Sequence, residues 1–454
     1  MSFSKFSSLF FAGACVSALA SCGGGSSTQT TTNSCPAANT SCGSATGPSA
    51  IPTSSTANIP LYIADSSTTG QWNYTNEPLV SVTVCTPNHT SASQCQTISN
   101  VLLDTGSYGL RVFASAITNT NVRLAQQTVN VQGETMKVAE CAQFGTGADW
   151  GAVKNADVLL GNQTASNIPI HVIDINYASV PSDCASLCPD TDPCTAGYNG
   201  ILGVGPFAQD CGILCDSFTS DKTNPGFYYG CDSTGCYNAY SGNCGTDGTC
   251  MIQVTTQNQV ANPVASFASG YNNGVSLTLP SVASTGASAV TGSMTLGIPS
   301  STTAGGVYLA DSSGMTDGNG VDMGTVFQGT TYGATNSANA IAFIDSGSNA
   351  YFFPLNAPMC SVNSSFYCPA STDSLSAVIE GYSGSPTYTN NFSIRNADSL
   401  FSTNYSAFST VAGNATGMFD WGLPFFYGRT VYVGLDGTSA TINSSSVTGP
   451  YWAF

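Results

Sequence analysis

Charge is what this 454-residue chain has least of: Asp, Glu, Lys and Arg together make up 7% of it, and Lys plus Arg total 8 against 25 acids, for a formal net charge of −17. Such a surface lacks the basic footprint that nucleic-acid binding requires, so no nucleic-acid partner is expected. Few salt bridges can form, so protonating carboxylates should cost this chain less stability than it would a charge-rich one, which fits acidic surroundings. Histidine is nearly absent as well. His89 follows Asn88 in what reads as a loop, and His171 lies in the alternating run IPIHVID, where it reads as a strand residue rather than a base. No Gly-x-Ser-x-Gly elbow is present, which argues against a Ser-His-Asp hydrolase. A P-loop and a dinucleotide fingerprint are also missing. Beyond the N-terminus no apolar run approaches the length of a membrane helix.

What is present is rich in Gly, Ser, Thr and Asn, with short β-rich runs such as VSVTV, ADVLLG, VSLTL and TVYVGL between turn residues. This pattern predicts a mainly β architecture. The length allows a large core and a two-lobed domain. Asp311, Asp317, Asn319 and Asp322 fall in a Gly-rich stretch, but their spacing does not match a calcium loop and reads as an exposed turn.

The N-terminus, MSFSKFSSLFFAGACVSALASC, has one basic residue, a short apolar core and small residues before Cys22. This is the pattern of a secretory signal. Leu19-Ala20-Ser21-Cys22 further suggests a bacterial lipoprotein signal, against the plainer reading of an ordinary signal with a nearby cysteine. On that reading Cys22 becomes the first mature residue and carries the lipid, and several acyl chains give stable anchoring. The Gly23-Gly24-Gly25 run then serves as a leash. The expected layout is a signal peptide at 1–21, a lipidated Cys22 and linker at 22–58, an N-terminal lobe at 59–285 and a C-terminal lobe at 286–454. The expected location is the bacterial cell envelope, on the outer membrane, since the residue after Cys22 is not Asp.

The chain has 18 cysteines, and setting aside Cys15 and Cys22 leaves an even number. In an exported chain that reads as disulfides. Cys85 with Cys95 and Cys360 with Cys368 are expected local pairs, and Cys35 with Cys42 closes a small loop in the leash. A Cys-rich insertion at about 184–250, together with Cys141, has a pairing that sequence does not fix. The spacings Cys184-x3-Cys188 and Cys211-x3-Cys215 also resemble metal-ligand spacing. An oxidising compartment and the even count favour disulfides, so no metal is expected.

Two tetrapeptides carry the chemistry. Asp104-Thr105-Gly106-Ser107 follows the apolar run VLL, and Asp345-Ser346-Gly347-Ser348 follows AFI. Alone, either string could mark a plain turn. Together, one in each half and each behind an apolar strand, they supply what two-carboxylate catalysis needs. Two acids within hydrogen-bonding reach cannot both ionise, so they share a proton and titrate as a unit. One then takes a proton from water while the other gives one to a carbonyl oxygen. Thr105 and Ser346 are expected to hydrogen-bond across to the opposite loop. Gly106 and Gly347 are expected to offer backbone N–H groups, and Ser107 and Ser348 to reach the outer oxygens of their own acids.

With these motifs the chain resembles the pepsin-like aspartic proteases. Phe144-Gly145-Thr146-Gly147 resembles the family's flap hairpin, NGILGVG its segment beneath the first catalytic loop, and FDWGLPFFYG the matching segment of the second lobe, with Gly422 as its glycine. The match runs over about residues 60 to 454. The resemblance implies a bilobal fold of two β-barrel-like lobes with a cleft between them, and a monomer that cleaves a peptide or protein substrate without a cofactor. Two positions depart from the family. Its flap tyrosine is Phe144 here, and the tryptophan seven residues after the first acid is Arg111, expected near the flap. These departures support a rival reading, a pepsin-like binding or envelope-structural lipoprotein without turnover, since fold alone does not establish activity.

Overall fold

The computed structural model describes residues 54–63, 75–131, 133–145, 147–216, 227–240, 250–312, 323–333 and 340–454. The expected signal, Cys22 and the leash up to residue 53 therefore lie outside the described residues, as do Cys35, Cys42, Thr146 at the flap tip, Cys244, and Asp317, Asn319 and Asp322.

The protein is mainly β and two-lobed, and the same three-strand frame occurs once in each half. In the first half, strand Cys95–Asp104 runs into the acidic loop and strand Tyr108–Phe113 leaves it. Strand Gly200–Val204 pairs with both, parallel to the first with Gly203 opposite Asp104, and antiparallel to the second with Gly203 opposite Gly109. In the second half, strand Ile341–Ile344 enters the loop and Tyr351–Phe352 leaves it. Strand Met418–Trp421 runs parallel to the first, with Trp421 opposite Ile344, and antiparallel to the second, with Asp420 opposite Phe352. The ends of the entering strands, residues 101–103 and 342–344, are apolar runs because they are covered on both faces there. Gly422 follows at a close approach: a Cβ there would lie 2.0 Å from the Ala350 carbonyl oxygen and 2.7 Å from that of Ser348. Glycine is therefore required where this segment passes under the second acidic loop.

The halves are joined by shared strands. Strand Asn58–Ile63 pairs with Val290–Leu296, which also pairs with Gly274–Leu279, and that strand in turn pairs with Arg429–Gly434. One apolar cluster runs through both halves, from Leu61, Val82 and Leu103 to Ile344, Phe353, Phe419 and Trp421. Asn76 adds a polar staple. Its side-chain nitrogen donates to the Asn349 and Phe408 carbonyl oxygens, both at 2.8 Å, and its oxygen accepts from Phe408 N and the Tyr427 hydroxyl, both at 2.7 Å. All of these partners lie more than 270 residues along the chain.

Strands Glu134–Phe144 and Gly147–Leu160 form the expected flap hairpin, with Phe144 opposite Gly147. The expected local disulfides Cys85–Cys95 and Cys360–Cys368 are present. In the Cys-rich region Cys141 pairs with Cys184, Cys211 with Cys215 and Cys231 with Cys236, and Cys188 and Cys194 are also disulfide-bonded. The first of these ties a flap strand to the insertion.

Candidate active site

Asp104 and Asp345 are both fully buried at the ends of their strands. Gly106 brings them together. Its backbone N–H lies 2.8 Å from Asp104 Oδ1 and 3.2 Å from Asp345 Oδ1, so the inner oxygens of both acids converge on one donor. No side chain fits at that position, because a Cβ on Gly106 would stand 2.5 Å from Asp345 Cγ. Gly347 N donates to Asp345 Oδ1 at 2.7 Å. The outer oxygens are held by serines: Ser107 Oγ donates to Asp104 Oδ2, and Ser348 Oγ donates to Asp345 Oδ2 at 2.8 Å.

The two loops grip each other through reciprocal hydroxyl bonds. Thr105 Oγ1 donates to the Ile344 carbonyl oxygen at 3.0 Å and accepts from Ser346 N at 2.9 Å. Ser346 Oγ donates to the Leu103 carbonyl oxygen at 2.7 Å and accepts from Thr105 N at 3.1 Å. Each hydroxyl thus satisfies one backbone donor and one acceptor of the opposite half in a fully buried setting, where leaving them unpaired would cost about 1–3 kcal/mol per group. This grip fixes the separation of the acids.

Burial pushes the Asp345 carboxyl well above the usual carboxylate range, and the neighbouring charges of Asp104 and then Asp420 push it further. Asp345 therefore keeps its proton well above the pH at which a free carboxylic acid would lose it. Asp420 is a third acid close by, which the sequence reading did not pick out. It is fully buried and lies beside Ser348. Burial pushes it, too, well above the usual range.

The flap residues converge on the same region. Arg111 is buried, and its guanidinium carbon lies 5.8 Å from the centre of the Phe144 ring. The tip residue Gly145 is exposed and Gly147 half-buried. A small cavity of about 20 Å³ beside the second loop is lined by Asn76, Glu77, Leu102, Tyr198, Gly347 and Asn349. The two histidines are held elsewhere: His89 Nδ1 lies 2.7 Å from Asp157 Oδ2, and His171 is a buried strand residue 3.2 Å from Glu140. Apart from Asp420, the sequence reading also missed Glu140 and Asp210, which surround Arg111.

The model of a family described as "Protein of unknown function (DUF3443)" matches residues 54–454. No curated protein matches the sequence. Among solved structures the chain is similar to the aspartic proteinase from Irpex lacteus, at 16% identity and a TM-score of 0.41, over 87% of this chain and 96% of that one.

Proposed function

The chain belongs to the DUF3443 family, described as of unknown function, and on that footing we propose that it is an aspartic endopeptidase. The observation that carries this reading is the convergence of the Asp104 and Asp345 inner oxygens on the single N–H of Gly106, locked by the Thr105–Ser346 grip. A binding module has no use for two buried acids held this way. A dyad sharing one proton does.

In this reading a water between the acids attacks the peptide carbonyl carbon. Its proton passes to the ionised carboxylate, while the protonated acid gives its proton to the carbonyl oxygen. The resulting tetrahedral diol collapses: the amide nitrogen takes a proton, the C–N bond breaks, and a carboxylic acid and an amine leave. No covalent enzyme intermediate forms and no cofactor takes part. Ser107 and Ser348 keep the outer oxygens oriented, and the flap hairpin covers the substrate. We further propose that the domain is a monomer held at the bacterial envelope by lipid on Cys22, which would place it among exported peptide or protein substrates.

The test uses the soluble domain from about residue 54 with its disulfides formed. Cleavage of an unfolded protein would be followed from pH 3 to 7 beside Asp104→Asn and Asp345→Asn variants of equal thermal stability. Cleavage by the wild type with at least a thousandfold loss in each variant is the expected result. An inactive but folded wild type would overturn it in favour of a binding module.

A further inference from the structure

Behind the flap hairpin lies a buried ionic cluster that the dyad chemistry does not use. Arg111 is at its centre, with 3% of its side chain exposed. One terminal nitrogen of its guanidinium, Nη1, donates to the Tyr108 carbonyl oxygen at 2.8 Å. Tyr108 is the first residue after the catalytic loop. The other, Nη2, donates to Glu140 Oε1 at 2.7 Å and to Asp210 Oδ2 at 2.9 Å. Glu140 lies on the incoming flap strand, four residues before Phe144, whose ring faces the same guanidinium. Asp210 also accepts from the Tyr228 hydroxyl at 2.6 Å, and that hydroxyl accepts from Val260 N at 2.7 Å.

Every other approach to Arg111 is packed. Ile201 lies opposite it on one side and His171 on the other, with His171 Nδ1 3.2 Å from Glu140 Oε2. A buried charge with only structural work to do is a poor investment, since burying an ion pair is often no better than a hydrophobic replacement of similar volume. What ions do better is direction. A planar fork with fixed donors fixes the relative placement of the groups it bonds, and here those groups are the catalytic loop and the flap strand.

We propose that Arg111 is a positioning residue that pins the flap hairpin to the first catalytic loop. Through Nη1 it holds the loop at Tyr108, and through Nη2 it holds the hairpin at Glu140. The Phe144 ring rests against the same group, so the hairpin is held at its strand and near its tip by one side chain. Asp210 and Tyr228 anchor the far side of the guanidinium to the Cys-rich segment. This inference deepens the endopeptidase reading, but the pin itself can be read without turnover.

The experiment compares wild type with the variant R111M/E140Q/D210N, which removes Arg111 together with both carboxylates that it bonds. Amide hydrogen exchange is measured over residues 141–148, beside global thermal stability and cleavage kinetics. The expected result is stability close to wild type, exchange in the hairpin faster by tenfold or more, and kcat/KM lower by tenfold or more. Exchange and cleavage at wild-type levels would show that the cluster is only filling space, and would overturn the proposal. Should the triple variant fail to fold, E140Q and D210N are compared singly. The pin runs through Glu140, so E140Q should speed hairpin exchange severalfold while D210N leaves it unchanged; equal exchange in the two would overturn the proposal. A wild type without any proteolysis would remove the endopeptidase reading and leave the exchange result standing on its own.

Discussion

The two halves build the same frame around their acids and back it in opposite ways. Seven residues after the first acid stands Arg111, and seven after the second stands Phe352. Arg111 lies opposite Ile201 on the crossing strand, while Phe352 lies opposite Asp420. Each frame thus pairs one charged residue with one apolar residue, on swapped strands. Around Arg111 the first half gathers Glu140, Asp210 and His171. On the strand that carries Asp420 the second half has rings on the other face: Phe419 and Trp421 have centroids 4.6 Å apart, and Phe353 stacks on Phe419 at 4.9 Å. The geometry of the paired acids belongs to the backbone and the hydroxyl grip, so what lies behind it is free to differ. The first half has a hairpin and a Cys-rich segment to tie down, and uses directional bonds. The second fills volume with aromatic area, each ring pair adding about 0.5–1.5 kcal/mol beyond its burial.

Removing the hub of the ionic side should break this comparison most sharply. Arg111→Met leaves Glu140 buried without its counter-ion, which should cost about 3–5 kcal/mol at neutral pH. The cost should depend on pH. In the wild type, burial pushes Glu140 up, but the Arg111 guanidinium and then His171 more than offset this and hold it below its usual value. Without Arg111 the burial outweighs what His171 still offers, so Glu140 takes up a proton in mild acid and the penalty shrinks. Denaturant melts of the variant against wild type at pH 7 and pH 4 check this, and a cost equal at both would mean that the ion pair is not what holds the cluster. His171, pushed down by burial to about 4, stays neutral over most of that range.

A second contrast comes from Asp420, the stray acid on the aromatic side. Its folded pKa is raised by burial, so below about pH 4 both folded and unfolded forms are protonated and nothing is lost. As pH rises, the unfolded acid ionises first and stability falls until the folded group ionises as well. The slope is about 1.4 kcal/mol for each pH unit in which only the unfolded acid is charged. Asp420→Asn should match wild type near pH 3.5 and gain on it steadily toward neutral pH. Taking the difference between the two proteins cancels the titrating groups that do not sense Asp420; Asp345, which does, is relieved of a neighbouring charge in the variant and adds to the same gain. A difference independent of pH would mean that Asp420 is ionised in the folded protein.

The sequence showed the frame and not its backing, for a physical reason. The acids, their hydroxyl neighbours and the glycines sit within four residues of each other, so the local string already carries the chemistry, and Cys85–Cys95 and Cys360–Cys368 are close enough in sequence to read as pairs. Arg111 was visible as a departure from a pattern, but its partners Glu140 and Asp210 lie 29 and 99 residues on, where no periodicity points. Asn76 is invisible for the same reason. Asp420 did leave a trace. Asp-Trp-Gly occurs at 149–151 and again at 420–422, and both acids are fully buried. An acid inside an apolar, aromatic run is the signal; the resemblance picks out that run for its glycine, Gly422, and not for Asp420.

The smallest expected effect is on the aromatic side. Trp421 is fully buried among its rings and donates one hydrogen bond, Nε1 to Thr325 Oγ1 at 3.0 Å. Trp421→Phe keeps an aromatic face against Phe419 and Phe425 but removes the donor, and leaves a small void where the second ring stood. One lost neutral hydrogen bond and that void together should cost about 1–3 kcal/mol. No charge is created or stranded, so unlike the loss of Arg111 the cost should be the same at pH 4 and pH 7. If the Trp421 penalty instead grows toward neutral pH, the ring is shielding Asp420, and the two sides of the molecule differ less in kind than their side chains suggest.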